Sequence, residues 1–393
     1  MAERLSPVTI EYSPWVIQAR SLMDKIGKYE EQDAVERAAE LFDLDLGAKA
    51  SPQAVGEWKD EFYRDEILEV GERCAIVYTE SLFRRLEDGT MNNLLLSAAR
   101  AYYDSMDGIA RILSCYWDCI LEKCKENRIR TIVVAGTDGN PLFIVGKEVA
   151  RKKNVNAKIT LVELTRRMFE IRDEIAAKSE PKKTARYQMG KPVHELARTD
   201  FGRYLQSAIP MDNVALVDAE SYGSIIRLLL RLGWRIWVFL LASNNPFLSG
   251  YLNVVTEYMN AGRTAVSELM PWHVGDSIEA IPRPYKVEEL ERVHKQLYVK
   301  ERKTSQLYGM CGFLAYWALA RRARDLTVES IDLKETLRSM TPLLRPGHEL
   351  SILSETMDEW TGAWPLIEIW VKEGLGFVKP RPELITGSVF GKP

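Results

Sequence analysis

Apolar residues recur at three- and four-residue intervals through the first third of this chain. They give way to short β-branched runs and then return to the helical interval. Gln32 to Leu44 and Val55 to Leu86 carry helical spacing. Asn92 to Cys124 carries it most clearly. Leu95, Ala99, Tyr102, Met106, Ile109, Leu113, Tyr116 and Ile120 fall on one stripe, with Arg100, Asp104, Arg111, Asp118 and Glu122 off it. Gly108 is expected to weaken this helix or divide it in two. The pattern changes at Arg128. Four apolar runs follow: Thr131–Ala135, Ala157–Glu163, Val214–Asp218 and Arg235–Leu241. Between them, Pro141 to Lys153, Arg166 to Ala177 and Ile225–Leu232 read as helices. Apolar strands alternating with helices predict βαβ units and a parallel sheet buried on both faces.

Two stretches break this alternation. Lys178 to Asn213 is a long polar connection with seven basic residues (Lys178, Lys182, Lys183, Arg186, Lys191, Arg198 and Arg203). A connection of this length in a compact domain reads as a flap or a solvated loop. Past Asn245-Pro246 the chain turns mostly helical again. Val287 to Arg302 is charged and expected to be exposed, whereas Leu307 to Ala323, with Phe313, Tyr316, Trp317 and Leu319, predicts a buried helix. Leu350 to Lys372 places Trp360, Trp364 and Trp370 as core residues, and the tail from Gly376 should be extended. The expected organisation is a helical region over 1–127, an α/β core over 128–285 and a helical region with an extended tail over 286–393. In fold class this is α/β, a central parallel sheet of four or five strands flanked by helical N- and C-terminal regions.

Composition narrows the picture. A length of 393 residues suits two or three packing units. Apolar content of 46% and charged content of 28% are those of an ordinary globular protein. A net charge of −3 gives no global basic field for nucleic acid. Met1 to Pro7 is not followed by an apolar run, so no secretory signal is expected. The most apolar segment, Ile225 to Ala242, carries Arg227, Arg231 and Arg235, which argues against a membrane helix. A cytoplasmic protein without a membrane partner is the expectation; homo-oligomerisation stays open. The five cysteines, Cys74, Cys115, Cys119, Cys124 and Cys311, form no Cys-x-x-Cys pair, and the four histidines are scattered. Reduced thiols without a structural zinc are expected.

The candidate chemistry lies in the loops that follow the predicted strands. The run Val214–Asp218 ends on an acid, and Ser221, Tyr222, Gly223 and Ser224 then lead into an apolar helix. A carboxylate at the end of a parallel strand can hold ribose hydroxyls or a metal-bound pyrophosphate, and N–H groups at a helix start can cup a phosphate. The plainer alternative is that Asp218 ties down a turn and Ser224 caps a helix. Gly136, Thr137, Asp138 and Gly139 form a second loop of this kind, where glycines allow close backbone approach and φ > 0, or simply a tight Asp-Gly turn. It is neither a G-x-G-x-x-G fingerprint nor a Walker A loop. Arg166 and Arg167 follow the second strand and could bind phosphate oxygens, or be an ordinary helix start. Glu268, His273 and Asp276 offer an acid–base set in a later segment.

Three of these motifs, Thr137-Asp138-Gly139, Thr165-Arg166-Arg167 and Asp218 to Ser224, occur in the order found in the phosphoribosyltransferase fold. The middle of the chain is most similar to the phosphoribosyltransferase-like domains associated with haloacid-dehalogenase-type hydrolases. The resemblance implies binding of phosphoribosyl pyrophosphate or a nucleotide with Mg²⁺, and phosphoribosyl transfer as the associated reaction. It implies that Asp218 and Glu220 are the catalytic acids holding the ribose, with Asp218 on the metal. Tyr222 to Ser224, with Ser221, would cradle the 5′-phosphate, and Asp138 and Arg166 would face the pyrophosphate beside Gly136 to Gly139. The acceptor would lie against Ser267 to Glu279. Ala219 stands where the family has its second acid, and the loop is shorter. Two other classes remain open: a non-catalytic nucleotide sensor on the same fold, and a helical interaction scaffold with a structural α/β centre.

Overall fold

The computed structural model describes residues 8–50, 89–136, 139–164, 168, 197–220, 229, 232–242, 281–331 and 377–378. Two sheets are seen among them. The larger is built from β2 (Thr131–Gly136), β3 (Lys158–Glu163), β4 (Asp212–Glu220), β5 (Arg235–Ala242) and β8 (Phe377–Val378), in the order β3-β2-β4-β5-β8. The first four strands are parallel, as the sequence pattern predicts. The fifth, β8, is antiparallel to β5, so the sheet is parallel in its four main strands only. Ile132, Val133 and Val134 of β2 and Val214 to Val217 of β4 are buried without alternation, the mark of a strand covered on both faces. β4 begins with a bulge at Asn213 (φ 56°), whose side chain donates to the Arg128 carbonyl at 3.2 Å.

The smaller sheet corrects the expectation of helical flanks. β1 (Thr9–Tyr12) pairs in parallel with β7 (Gln296–Lys303), and β7 forms an antiparallel hairpin with β6 (Tyr285–Val293). Val287 to Arg302 is therefore a hairpin and not part of a helical region. Its buried residues, Tyr285, Val287, Leu297 and Val299, alternate in the first half of each strand, and the second half of each is charged and more exposed. The turn at His294-Lys295 has none of the Asn-Gly or Asp-Gly signals that mark most tight hairpins.

Helices pack against both sheets. α1 (Pro14–Lys25) is capped by Ser13, whose hydroxyl accepts from Val16 N–H, and α2 (Glu31–Phe42) ends at Asp43 in the left-handed region. The long helix expected over Asn92 to Cys124 is two, α3 (Met91–Ser105) and α4 (Asp107–Glu126), broken at Met106 just before Gly108. Every residue of its predicted stripe is buried. α5 (Asn140–Lys152) follows β2. α6 (Asp200–Ala208) corrects the reading of Lys178 to Asn213 as structureless connection: Thr199 caps it, and Phe201, Tyr204 and Leu205 form its buried face. α7 (Gln306–Asp325) is buried at every position from Leu307 to Ala320, as only a central helix can be. It packs on α2, α3, α4 and α5, so elements from all three expected regions share one hydrophobic core. The predicted helices over Val55 to Leu86, Arg166 to Ala177 and Leu350 to Lys372 lie outside the described residues. Among the described residues no helix is long and apolar enough to cross a membrane.

Candidate functional site

The chain passes from β2 to β3 on one side, then back over β2 to β4 and β5 on the other. The order of the sheet thus reverses between β2 and β4. In open parallel sheets, ligands bind in the crevice outside the strands' carboxyl ends at such a switch point. The two loops singled out in the sequence leave the sheet from these two neighbouring strand ends, one after Gly136 and the other after Glu220.

Gly136 is the last residue of β2, and Gly139 is the N-cap of α5. Neither uses the left-handed region that the sequence reading allowed: Gly139 has φ −80°, and the one described glycine with positive φ is Gly233. Close approach is the reason for both. A Cβ on Gly139 would lie 2.0 Å from the Ala135 carbonyl oxygen, and one on Gly136 would lie 2.6 Å from Glu163 Oε2. The start of α5 has Pro141 in its first turn and no acidic residue there, so its N-terminal partial charge is not answered within that turn.

β4 runs two residues past Asp218, which pairs with Leu240 inside the ladder instead of ending the strand. Asp218 is among the few buried charged residues, at 9% exposure. Glu220 is the last residue of the strand. Thr137, Asp138, Arg166, Ser221, Tyr222, Gly223 and Ser224 lie outside the described residues, as do Glu268, His273 and Asp276. Among the described residues no group of three or more metal-ligating side chains comes together.

A polar cluster that the sequence reading missed stands at the end of β3. Glu163, 1% exposed, pairs with Gly136 across the ladder. Its Oε1 accepts from Arg20 Nη2 at 2.6 Å and from the Tyr285 hydroxyl at 2.9 Å. Arg20 Nε donates to the Tyr285 oxygen at 3.4 Å, and its guanidinium lies 4.2 Å from the centre of the Tyr12 ring. The Tyr12 and Tyr204 hydroxyls are 3.3 Å apart. The cluster therefore joins β1, α1, β3, α6 and β6. Burial alone would lower the Arg20 pKa, but the charge of Glu163, helped by Tyr285 and Tyr12, holds it well above its ordinary value. Burial, followed by the neighbouring Glu163 carboxylate, pushes the Tyr285 phenol well up; burial and then Tyr12 do the same to Tyr204.

Partners in parallel ladders point to the same face. Glu163 therefore shares a face with Gly136, Val134 and Val217, and Asp218 is turned to the other. The two acids flank the β2 end from opposite sides. Next to them, Asn140 is buried at the start of α5, its Nδ2 3.3 Å from the Tyr316 hydroxyl and its Oδ1 without a partner. Turning the amide over would leave the NH₂ without one instead. A signal for Glu163 was present in the sequence, since an acid closes an otherwise apolar strand. Its partners, at positions 20 and 285, gave none.

The chain matches no protein-family model, no curated protein and no solved structure.

Proposed function

We propose that the crevice between the ends of β2 and β4 binds a phosphorylated small molecule, either phosphoribosyl pyrophosphate or a nucleotide. The observation that carries this reading is the switch point of the parallel sheet, with both candidate loops leaving from its two strand ends. One further feature supports it. The α5 N-terminus has no acid in its first turn. Mg²⁺ belongs to the same proposal. Asp218 would hold it together with the ligand's own phosphate oxygens, because Mg²⁺ in such sites takes one or two carboxylates and completes its shell with phosphates and water. The ion would supply charge neutralisation for the pyrophosphate. Phosphoribosyl transfer, with Asp218 and Glu220 beside the ribose, is the reaction the resemblance adds; Ala219 favours the same binding without transfer.

A thermal-shift screen with phosphoribosyl pyrophosphate, nucleotides and Mg²⁺ tests the reading. A ligand at 100 times its dissociation constant stabilises by about 2.7 kcal/mol. Gly223→Val should abolish that shift, because a β-branched side chain would block the phosphate. Asp218→Asn should reduce it chiefly when Mg²⁺ is present. Absence of a shift with every phosphate ligand would remove the proposal and favour the scaffold. A shift without release of pyrophosphate would favour the sensor.

A further inference from the structure

We infer that Arg322 of α7 holds open a joint between α3 and α4, which are two halves of one helix. The joint has an interrupted state, with Arg322 inserted, and a continuous state, with Arg322 withdrawn. The apolar pattern is that of one helix. From Leu95 to Ile120 the stripe advances in alternating steps of four and three, and the steps run through Met106 without a shift. Every residue of the stripe is buried. A helix that stops because its apolar face stops would change phase at the break, and this one does not.

The backbone shows where the ladder opens. α3 ends at Ser105 and α4 begins at Asp107. Across the gap, Met106 N–H donates to the Tyr102 carbonyl at 2.8 Å and Ala110 N–H to the Met106 carbonyl at 2.9 Å. Among the described residues, the bond that a continuous helix makes from Asp107 N–H to the Tyr103 carbonyl is missing. Arg322 Nε donates to that carbonyl instead, at 2.8 Å. The same guanidinium lies 3.7 Å from the centre of the Tyr103 ring and reaches Asp104 at 3.8 Å and Asp107 at 3.6 Å. It therefore grips the last turn of α3 and the first turn of α4 together. A side chain inserted into the ladder is one of the few causes of a sharp helix break. Two local features lean the same way: Asp107 suits a helix N-terminus, and Gly108 weakens a helix interior. Against them stand the unshifted stripe and the ladder bond that closure would restore. α3 packs on α2 and α7, and α4 on α5 and α7, so the joint is where these two packed groups can turn against each other.

Hydrogen exchange of the full chain, read at single amides by mass spectrometry, tests this. Arg322→Met, which keeps an unbranched stem and loses the guanidinium, should let the joint close. The amide at position 107 should then be protected about tenfold more than in wild type, the effect of one net hydrogen bond. Asp104→Asn with Asp107→Asn removes the two anions and leaves α7 untouched. It should raise protection at position 107 in the same direction by a smaller factor. Amides of α7 from Met310 to Leu319 should keep their wild-type protection in both variants, which shows that the fold is retained. The inference is overturned if protection at position 107 stays at the wild-type level in both variants, because the break then stands without Arg322. Faster exchange throughout α3 and α4 overturns it too, because loss of the clasp then loosens the two helices and reaches no continuous state.

Discussion

The molecule has two interiors of opposite character. Around α7, every residue from Leu307 to Ala320 is buried among apolar side chains of α2, α3, α4 and α5. At the end of β3, a buried carboxylate and two buried phenols, Tyr204 and Tyr285, meet the half-buried Arg20 guanidinium and Tyr12 phenol. The first interior is bound chiefly by contact area, with few polar contacts such as Asn140 to Tyr316. The second is stable only while each charge has its counterpart. Burial therefore means different things in the two places: packing around α7, and registration of five separate elements around Glu163.

The largest expected effect comes from breaking the polar interior on one side only. Arg20→Met should destabilise the chain by about 3–5 kcal/mol, because it leaves the Glu163 carboxylate buried with the Tyr285 hydroxyl as its remaining donor. Adding Glu163→Leu should restore most of that loss, since a buried ion pair and an apolar pair of similar volume are often equivalent in stability. Urea denaturation of wild type, both single variants and the double variant measures the coupling. Additive losses would show that the two side chains are not a unit.

The apolar interior answers a change of size instead. A Cβ on Gly146 of α5 would lie 2.2 Å from the Trp117 ring of α4, which is fully buried. Gly146→Val should cost about 1–3 kcal/mol through overpacking, with no dependence on pH between 6 and 9. Trp117→Leu in the same chain should recover part of it by making room. Recovery by an unrelated surface change would count against direct contact.

These two interiors differ as much in how they are written in the sequence. The stripe from Leu95 to Ile120, the strands of the parallel sheet and the buried span of α7 follow from spacing within one segment, because each apolar face is laid down by consecutive turns or residues. The break at Met106 lies beside the glycine that predicts it. The hairpin of β6 and β7 was less legible because only two buried residues alternate in the first half of each strand, and its turn lacks the usual dipeptide. α6 was hidden by the basic residues around it, although Phe201, Tyr204 and Leu205 have helical spacing. Of the polar cluster only Glu163, the acid that closes β3, left a local signal. Arg20, Glu163, Tyr204 and Tyr285 sit in four separate segments, and nothing local to any one of them names the others. Of the candidate site, the end of β2 beside Gly136 was legible, because an apolar run closing on a glycine is a local signal, whereas β4 continues past Asp218 to Glu220.

High pH separates the two interiors by a smaller effect. The Tyr285 and Tyr204 phenols are pushed well above their ordinary value of about 10, by burial first and then by Glu163 and Tyr12 respectively. A group whose pKa is raised on folding gives its full stabilisation below its unfolded pKa and loses it as pH rises towards the folded one. Stability should therefore be level up to about pH 9 and fall above pH 10. Tyr285→Phe should flatten part of that fall. A slope unchanged in Tyr285→Phe would place its origin elsewhere.

The apolar interior has titrating groups too, and they give the smallest effect and a sharp local test. Burial pushes the Cys124 thiol at the end of α4 up to about 12, and that of Cys311 in α7 upwards as well. Only thiolate attacks a disulfide reagent, and a thiol with its pKa four units above the buffer is almost entirely protonated. Both are also closed to solvent, at 1% exposure each. At pH 8 an aromatic disulfide reagent should leave Cys124 and Cys311 unmodified in the folded protein and label them on addition of denaturant. Peptide mass analysis assigns each site separately from Cys74, Cys115 and Cys119. Cys115 is half-buried on the same helix and should be labelled sooner than Cys124. Labelling of Cys124 at the speed of an unfolded peptide would mean that α4 does not pack against the core along its last turns. The polar cluster offers no such escape from chemistry, because its members are charged or hydrogen-bonded in the folded state. Among the described residues, a thiol surrounded by apolar neighbours and a carboxylate paired with Arg20 are two ways of burying an acid. The first makes the group inert, and the second ties the end of β3 to α1 and β6.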